Sequence, residues 1–303
     1  MGVQCNGKQV RCGIRGILRM NGPACPNDNF ILKALTATES RRIFPNLSRV
    51  LLPAGAALSE AGDLVRHVYF PTDAVIALIC ALSDGALSQI GMIGNEGESG
   101  VGLVMGGESL ACMATVQVAG FAYRMPAAVL HDEMRRRGPL SRVLLRHAQS
   151  LFTQAAMLAI CNRHHSVDQQ LCRWLLQTLD RVRSNQFKAT QERISNLLGV
   201  RREGVTAAAG RLQSLGAIRY CHGRITILDR CALESRSCEC YSVVRRETAR
   251  LLPHSTEVIH DPKVSFKPIT LTRPASRVSH TGARGDLNGH TTGSDIRRQQ
   301  GCL

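Results

Sequence analysis

The 303-residue sequence contains no run of 18 apolar residues, the length that a helix needs to cross a membrane. Its first 27 residues also lack the continuous apolar core of a secretory signal. Aromatic residues make up only 4% of the chain, and hydrophobic residues at 44% exclude a wholly disordered protein. We therefore expect a cytoplasmic, globular protein with no membrane partner.

Familiar catalytic motifs are missing as well. The chain has no Gly-x-Ser-x-Gly, P-loop, His-Glu-x-x-His or dinucleotide fingerprint. None of the 12 cysteines forms the Cys-x2-Cys pair that is usual at zinc sites, and Cys238-x-Cys240 is a weak metal or redox signal. The adjacent His164 and His165 would point to different faces of a helix. We expect no enzymatic activity, no cofactor, no metal site and reduced thiols.

Acidic residues are scarce in one part of the chain. The net charge is +15, yet residues 28–162 hold 11 basic and 11 acidic side chains. Residues 163–253 hold 16 basic and 8 acidic side chains, a net of +8. This shift predicts a domain boundary and a partner that carries negative charge, such as nucleic acid.

The hydrophobic pattern predicts three structured regions between disordered ends at 1–27 and 254–303. Short apolar runs cut by turn residues indicate an antiparallel β-roll over 28–137. A single long helix is predicted over 138–162, beginning at Gly138-Pro139. Its apolar residues recur with a period near 3.6, which fits either ordinary core packing or a dimer seam, and we predict the dimer seam. The seam comprises Leu140, Leu144, Leu151, Ala155 and Leu158.

The motif that carries most information is TQERISNLLGVRREGVTAAAGRLQSL at residues 190–215. It predicts a first helix capped by Thr190, a tight turn at Gly199 and a second helix that starts near Arg202. The second helix buries Val205, Ala208, Leu212 and Leu215. A hairpin follows, with its turn at His222-Gly223. The module over 163–253 is thus predicted to be a winged helix-turn-helix, and the fold class α+β.

Such a module places the start of its second helix in the DNA major groove. Arg202 there can donate two hydrogen bonds to guanine, and Glu203 can accept one from cytosine. Thr190 at a helix N-terminus can hold a phosphate. The complete predicted DNA-binding set is Thr190, Gln191, Arg201, Arg202, Glu203, Thr206 and Arg224.

Over residues 29–250 the sequence resembles the CRP/FNR superfamily of bacterial transcription regulators. PAGAALSEAGD and HVYFPTD look like its early β-roll, and TQERISNLLGVRREGV looks like its recognition unit. The resemblance implies a cyclic-nucleotide-binding-like β-roll, a homodimer on a palindromic duplex site and RNA polymerase as a further partner. It also implies base reading by Arg202 and Glu203, whereas Ala207 departs from the family pattern.

The same resemblance places a weak ligand-binding signal at Gly97 and Glu98. Cys112-Met113 stands where members that bind cyclic AMP have an arginine, and no arginine lies between Arg66 and Arg124. Because a cyclic phosphate needs that charge, cyclic AMP is not expected. The spacing of Cys5, Cys12 and Cys25 does not match that of the family members that hold an iron–sulfur cluster. The sequence does not exclude the haem-binding members, although no residue favours them. The alternative function is a ligand-binding β-roll with weak or non-specific DNA binding.

Overall fold

The structure is a computed structural model and describes residues 25–252. The predicted disordered ends at 1–27 and 254–303 lie outside these residues, apart from 25–27. Within that overlap, a short 3-10 helix begins and spans Pro26–Asp28. The N-terminal half starts with two short helices, α1 (Phe30–Lys33) and α2 (Ala37–Ile43), before a region of strands. The strands are β1 (Ser48–Leu52), β2 (Ala57–Ser59), β3 (His67–Pro71), β4 (Val75–Ala81), β5 (Leu87–Ile93), β6 (Met113–Val118) and β7 (Gly120–Pro126), with helix α3 (Val101–Val104) between β5 and β6.

These strands form two antiparallel sheets, which together we call the sensor. One sheet has the order β1-β7-β3 and the other β2-β6-β4-β5. The central strand β4 is buried along most of its length because helices and the facing sheet cover it. Apolar side chains from both sheets fill the interior, as expected for a β-roll.

Gly120 allows the two sheets to connect at a tight corner between β6 and β7. A Cβ atom at this position would lie 2.5 Å from the backbone nitrogen of Ala74. Backbone atoms cannot move aside as a flexible side chain can. The position therefore requires glycine for reasons of space.

Helix α4 (Ala127–Arg136) and the long helix α5 (Pro139–His164) follow the sensor. Pro139 takes the first helical position, as predicted from Gly138-Pro139. The predicted dimer seam needs correction. Leu140, Leu144 and Leu151 are at most 6% exposed, because they pack into the cores of their own sensor. Ala155 and Leu158 are half-buried.

A different face of α5 carries the exposed apolar side chains. Leu145 is 51% exposed, Phe152 75% and Ile160 46%. Leu145, Phe152 and Ala159 are spaced by seven residues. The helix therefore has two apolar stripes, and the sensor covers the one with the regular leucines.

The C-terminal part, which we call the reader, comprises α6 (Val167–Leu179), β8 (Gln186–Lys188), α7 (Gln191–Leu198), α8 (Arg202–Ser214), β9 (Ile218–Cys221), β10 (Arg224–Ile227), α9 (Arg230–Arg236) and α10 (Glu239–Leu251). Strand β8 joins the hairpin to give the sheet order β8-β10-β9. Ser166 and Gln169 have the sequence spacing that predicts a capping box, and they form one at the start of α6. The last helix, α10, packs along α5, where Ser150 and Thr248 share a buried hydrogen bond of 2.8 Å.

The sensor and the reader share one hydrophobic core. Trp174 of α6 lies in it, together with residues of β4 and β5. Its Nε1 donates a hydrogen bond of 3.1 Å to Oε1 of Gln89. Nearby, Gln117 donates to Thr178 at 3.0 Å, and Arg181 pairs with Glu96 at 2.6 Å, both inside the protein. Buried polar groups in this interface are thus satisfied across the two domains.

The expectation of reduced thiols is wrong for one pair. Cys80 and Cys112 form a disulfide, with Cα atoms 4.5 Å apart. They are brought together because Ile79 of β4 pairs with Met113 of β6, so the next residues at the ends of these strands face each other.

The α+β fold class is confirmed: antiparallel sheets, one long helix and a C-terminal helix-turn-helix occur in the predicted order. In residues 25–252, no helix combines the length and the hydropathy needed to cross a bilayer.

Gly120→Ala is expected to lower the free energy of unfolding by about 1–3 kcal/mol, because the new methyl group meets backbone. Gly210→Ala is the matched control, since a Cβ at Gly210 in α8 meets nothing within 4 Å. The control should gain up to about 1 kcal/mol through helix propensity. Urea unfolding of the two variants measures the contrast, and equal stabilities would contradict the packing argument.

Candidate nucleic-acid interface

The helix-turn-helix is built from short-range sequence signals. The Thr190 side chain accepts a hydrogen bond from the Arg193 backbone nitrogen at 3.2 Å and so caps α7. Gly199 ends α7 in the left-handed conformation, with φ of 65°. Helix α8 then begins at Arg202, where it was predicted. Val205, Ala208 and Leu212 are buried as predicted. The prediction that Leu215 is buried is wrong, because Leu215 is 52% exposed at the end of the helix.

The exposed face of α8 forms one wall of a groove. The start of α7 and the hairpin β9–β10 form the other walls. Four predicted site residues line the groove, namely Thr190, Gln191, Arg202 and Thr206. Its other lining residues include Gln213, Tyr220 and His222.

One hydrogen bond links the two helices within the groove. The Thr206 hydroxyl lies 2.8 Å from the Gln191 side-chain oxygen and donates to it. The same hydroxyl lies 3.0 Å from the Arg202 carbonyl, one turn earlier in α8. This contact fixes the position of Gln191 beside α8, although the sequence places the two residues 15 apart.

The remaining predicted residues lie at the edges of the groove. Arg201 is the exposed N-cap of α8, and Glu203 is exposed in its first turn. Arg224 lies on the hairpin, where its Nη1 donates to Gln186 at 3.1 Å. The structure thus brings four predicted residues into one concave surface and leaves three on its rim.

We refer to the hairpin β9–β10, which closes the groove, as the wing. Its turn conformation and one hydrogen bond to the rest of the reader fix its position. His222 and Gly223 both have positive φ, at 48° and 71°, as a two-residue hairpin turn requires. The Tyr220 hydroxyl donates to the Ala189 carbonyl at 2.8 Å, just before the cap of α7. Burial raises the pKa of Tyr220, so the hydroxyl keeps this proton.

Sequence reasoning did not include Gln213 or Tyr220 in the site. Gln213 lies seven residues after Thr206, on the same face of α8. That spacing is the signal that could have found it. Tyr220 offers no comparable signal, because its role depends on the contact with Ala189, which lies 31 residues away.

Two further contacts hold the helix-turn-helix, one on each of its helices. Arg211 donates two hydrogen bonds to Asp168 of α6, at 2.8 and 2.6 Å. These bonds lower the pKa of Asp168, which stays ionised. At the other end of the motif, Arg193 of α7 donates to the Val116 carbonyl of the sensor, and its burial lowers the pKa of the guanidinium.

In the sensor, the predicted ligand residues lie under α5. Glu98 is fully buried, and its carboxylate lies 3.4 Å from Nδ1 of His147. It also accepts a hydrogen bond from the Gly100 backbone. A Cβ atom on Gly97 would lie 2.1 Å from Nε2 of His147. The His147 side chain therefore occupies the space beside both residues.

Comparison with known proteins finds a matching helix-turn-helix family and solved structures with a similar fold. Residues 169–236 match the model of the Crp-like helix-turn-helix domain. A protein from Eubacterium rectale described as a CRP/FNR-family transcriptional regulator is similar in structure, with a TM-score of 0.55 and 18% identity. FixK2 from Bradyrhizobium japonicum has a TM-score of 0.54 and 15% identity. The alignments cover 69% and 63% of this chain and 98% of each relative.

A CRP-family transcriptional regulator from Thermus thermophilus is also similar, with a TM-score of 0.50 and 20% identity over 63% of this chain and 96% of its own. No curated protein is significantly similar to the chain. At these identities the solved structures show a shared fold. The family model adds the identity of the helix-turn-helix.

Thr190→Val is expected to lower the stability of the reader by about 0.5–2 kcal/mol, because the isosteric side chain cannot accept the hydrogen bond at the start of α7. Thr190→Ser keeps the hydroxyl and should retain most of that stability. Thermal unfolding followed by circular dichroism measures both. A serine variant as unstable as the valine variant would refute the capping role.

Proposed function

We propose that this chain, which has the fold of CRP/FNR transcription regulators and carries a Crp-like helix-turn-helix domain, is a sequence-specific DNA-binding regulator. The observation that carries the proposal is the groove between α7, α8 and the wing. Its exposed side chains include Thr190, Arg202 and Thr206, which are of the types that contact bases or phosphates in protein–DNA complexes. Two of the proteins matched in structure, those from Eubacterium rectale and Thermus thermophilus, are named as transcriptional regulators.

Base reading is assigned to the first turns of α8. Arg202 is exposed and donates two hydrogen bonds to guanine, Glu203 accepts one from cytosine, and Thr206 lies one turn further along the same helix. Thr190 and Gln191 lie at the N-terminus of α7, where backbone N–H groups favour a phosphate.

Charge supports a nucleic-acid partner over a neutral one. The basic residues of 163–253 outnumber the acidic ones by 8, and Arg201 and Arg224 stand at the rim of the groove. These side chains contact the phosphate backbone and contribute affinity without sequence preference. RNA polymerase is a further partner by family resemblance, with the cytoplasm as the place of action.

The proposed active form is a homodimer on a palindromic site. Leu145, Phe152 and Ile160 form the exposed stripe on α5 that a second copy would cover. The seven-residue spacing from Leu145 to Phe152 suits the packing of two long helices. The leucines first predicted for this role are used inside the chain instead.

Cyclic AMP is not the proposed ligand. The sequence provides no arginine for its phosphate, and His147 lies against Glu98 and Gly97 in the region of the sensor where the resemblance places the ligand. A ligand that used Glu98 would first have to displace a buried histidine from its carboxylate partner.

Arg202→Ala should weaken binding to the selected DNA site by about 1–3 kcal/mol and relax selectivity at one base pair of each half-site, because a bidentate contact is lost. Fluorescence anisotropy at several salt concentrations provides the measurement, with a site selected from a random pool. The wild-type chain should bind with a steep inverse dependence on salt.

The control for that experiment is Arg41→Ala on α2. It removes the same charge from an exposed position outside the reader. It should bind almost as tightly as the wild type. Equal wild-type affinity for selected and random sequences would refute a specific regulator.

Phe152→Glu should convert the proposed dimer into a monomer, because it places a charge at the centre of the exposed stripe on α5. Leu82→Glu is the matched control, since Leu82 is 67% exposed at a turn of the sensor. Sedimentation velocity at micromolar concentration distinguishes the two forms. A wild-type monomer, or a dimer that persists in Phe152→Glu, would contradict this interface.

A further inference from the structure

Four metal-ligating side chains meet where α5 ends and α10 begins. Their ligand atoms all lie within 4.8 Å of one another. We refer to this group as the cysteine–histidine cluster, which consists of Cys161, His165, Cys238 and Cys240. The chain approaches the cluster from two segments that are more than 70 residues apart.

Local structure explains why these side chains converge. Cys161 lies in the last turn of α5, and His165 is the C-cap that follows the helix, four residues later, so both side chains lie at the same end of α5. Cys238 is the N-cap of α10, and Cys240 lies in its first turn. Because α10 packs along α5, its start is brought to the end of the long helix.

Two of the distances between the ligand atoms match those around one tetrahedral ion, and all four atoms lie within 4.8 Å of one another. Zinc with bonds of about 2.3 Å to sulfur and 2.0 Å to nitrogen sets its ligand atoms roughly 3.5–3.8 Å apart. The Sγ atoms of Cys161 and Cys238 are 3.5 Å apart. The Sγ of Cys240 lies 3.6 Å from Nδ1 of His165.

The contacts and the burial of the cluster residues are those expected of metal ligands. His165 presents Nδ1 to the cluster, while its Nε2 lies 3.3 Å from the Glu239 carboxylate. A carboxylate on the outer nitrogen orients a ligating histidine and fixes its tautomer. The three cysteines are at most 3% exposed, and the His165 side chain is 12% exposed.

A buried cation next to the cluster supplies an independent argument. Arg173 of α6 is 2% exposed and donates from Nε to the Cys161 sulfur at 3.3 Å. No carboxylate of residues 25–252 forms an ion pair with it, and its Nη2 lacks a hydrogen-bond partner among them. A buried guanidinium needs an opposite charge. Three thiolates and one histidine around a divalent ion carry a net charge of −1, which Arg173 would balance.

We propose that the cysteine–histidine cluster is a structural zinc site. The ligand set of three cysteines and one histidine is one that structural zinc sites use, and the burial leaves no open position for substrate. The compact arrangement suits one ion better than a cluster of two irons, whose ligands stand further apart. The ion ties the end of α5 to the start of α10, next to the junction of α5 and α6.

This site could not be predicted from the sequence, because the chain lacks a Cys-x2-Cys pair. The usual sequence signal depends on two ligands close together in one loop. Here the first pair is a Cys-x3-His that spans the end of α5, and the second is Cys-x-Cys. Of the two adjacent histidines, only His165 faces the cluster.

The first test measures metal content in the full-length chain purified under reducing conditions. Elemental analysis should find one zinc ion per chain. Cobalt substitution should give the visible absorption of a tetrahedral thiolate site. A folded wild-type chain that retains no zinc and gives no such cobalt spectrum would overturn the proposal, as would iron or copper in place of zinc. A Cys161–Cys238 disulfide in that preparation would also overturn it.

Variants assign the metal to these residues. Cys161→Ser and Cys240→Ser should each lose zinc, whereas Cys172→Ser should keep it, because Cys172 is equally buried in α6 but lies outside the cluster. Zinc retained in full by the first two variants would overturn the assignment.

A milder variant avoids the risk of misfolding. Glu239→Gln should weaken zinc affinity by about 10–100-fold in competition with a chelator, because it removes the charge behind His165. Glu247→Gln, on the same helix and away from the cluster, should leave the affinity unchanged. Equal affinities for the two variants would show that Glu239 does not support a ligating histidine. None of these readouts depends on DNA, so they are independent of the proposed function.

Discussion

Helix α6 is the element on which the arrangement of both domains depends, since its side chains lie in the hydrophobic core that the two domains share. All residues from Gln170 to Thr178 are buried. On one side they complete the hydrophobic core of the reader, and on the other they cover the β4–β5 sheet of the sensor. Trp174 occupies the centre of this contact and is anchored by Gln89. A single thirteen-residue helix therefore determines where the helix-turn-helix stands relative to the β-roll.

Sequence reasoning found the parts of the fold that depend on neighbouring residues. The caps at Ser166 and Thr190, the turn at Gly199 and the hairpin turn at His222-Gly223 are all short-range signals, and the structure contains each of them. The start of α8 at Arg202 followed from the same pattern. Local geometry suffices there because each signal satisfies backbone groups within a few residues.

Long-range contacts were the part that the sequence could not supply. The leucines of α5 show a regular period, but periodicity does not say whether the sensor or a second chain covers them. The structure gives Leu144 to the sensor and leaves Phe152 in solvent. The Cys80–Cys112 disulfide and the cysteine–histidine cluster likewise depend on strand register and on helix packing between distant segments. For the candidate interface, the residues on α7 and α8 were predictable, whereas Tyr220 and its contact with Ala189 were not.

The polar contacts between sensor and reader have a mechanical consequence. Separating the two domains would exchange the hydrogen bonds of Gln89, Gln117 and Glu96 for bonds to water, at a net cost of about 0.5–1.5 kcal/mol for each neutral hydrogen bond and about 1.5–3 kcal/mol for a charged one. The Gly199 turn also stands above the β4–β5 hairpin, where a Cβ atom would come within 3.8 Å of the Leu87 carbonyl. The sensor and the reader are thus joined by a shared hydrophobic core and by polar contacts, so any displacement of the β4–β5 hairpin would have to carry the reader with it or break these contacts.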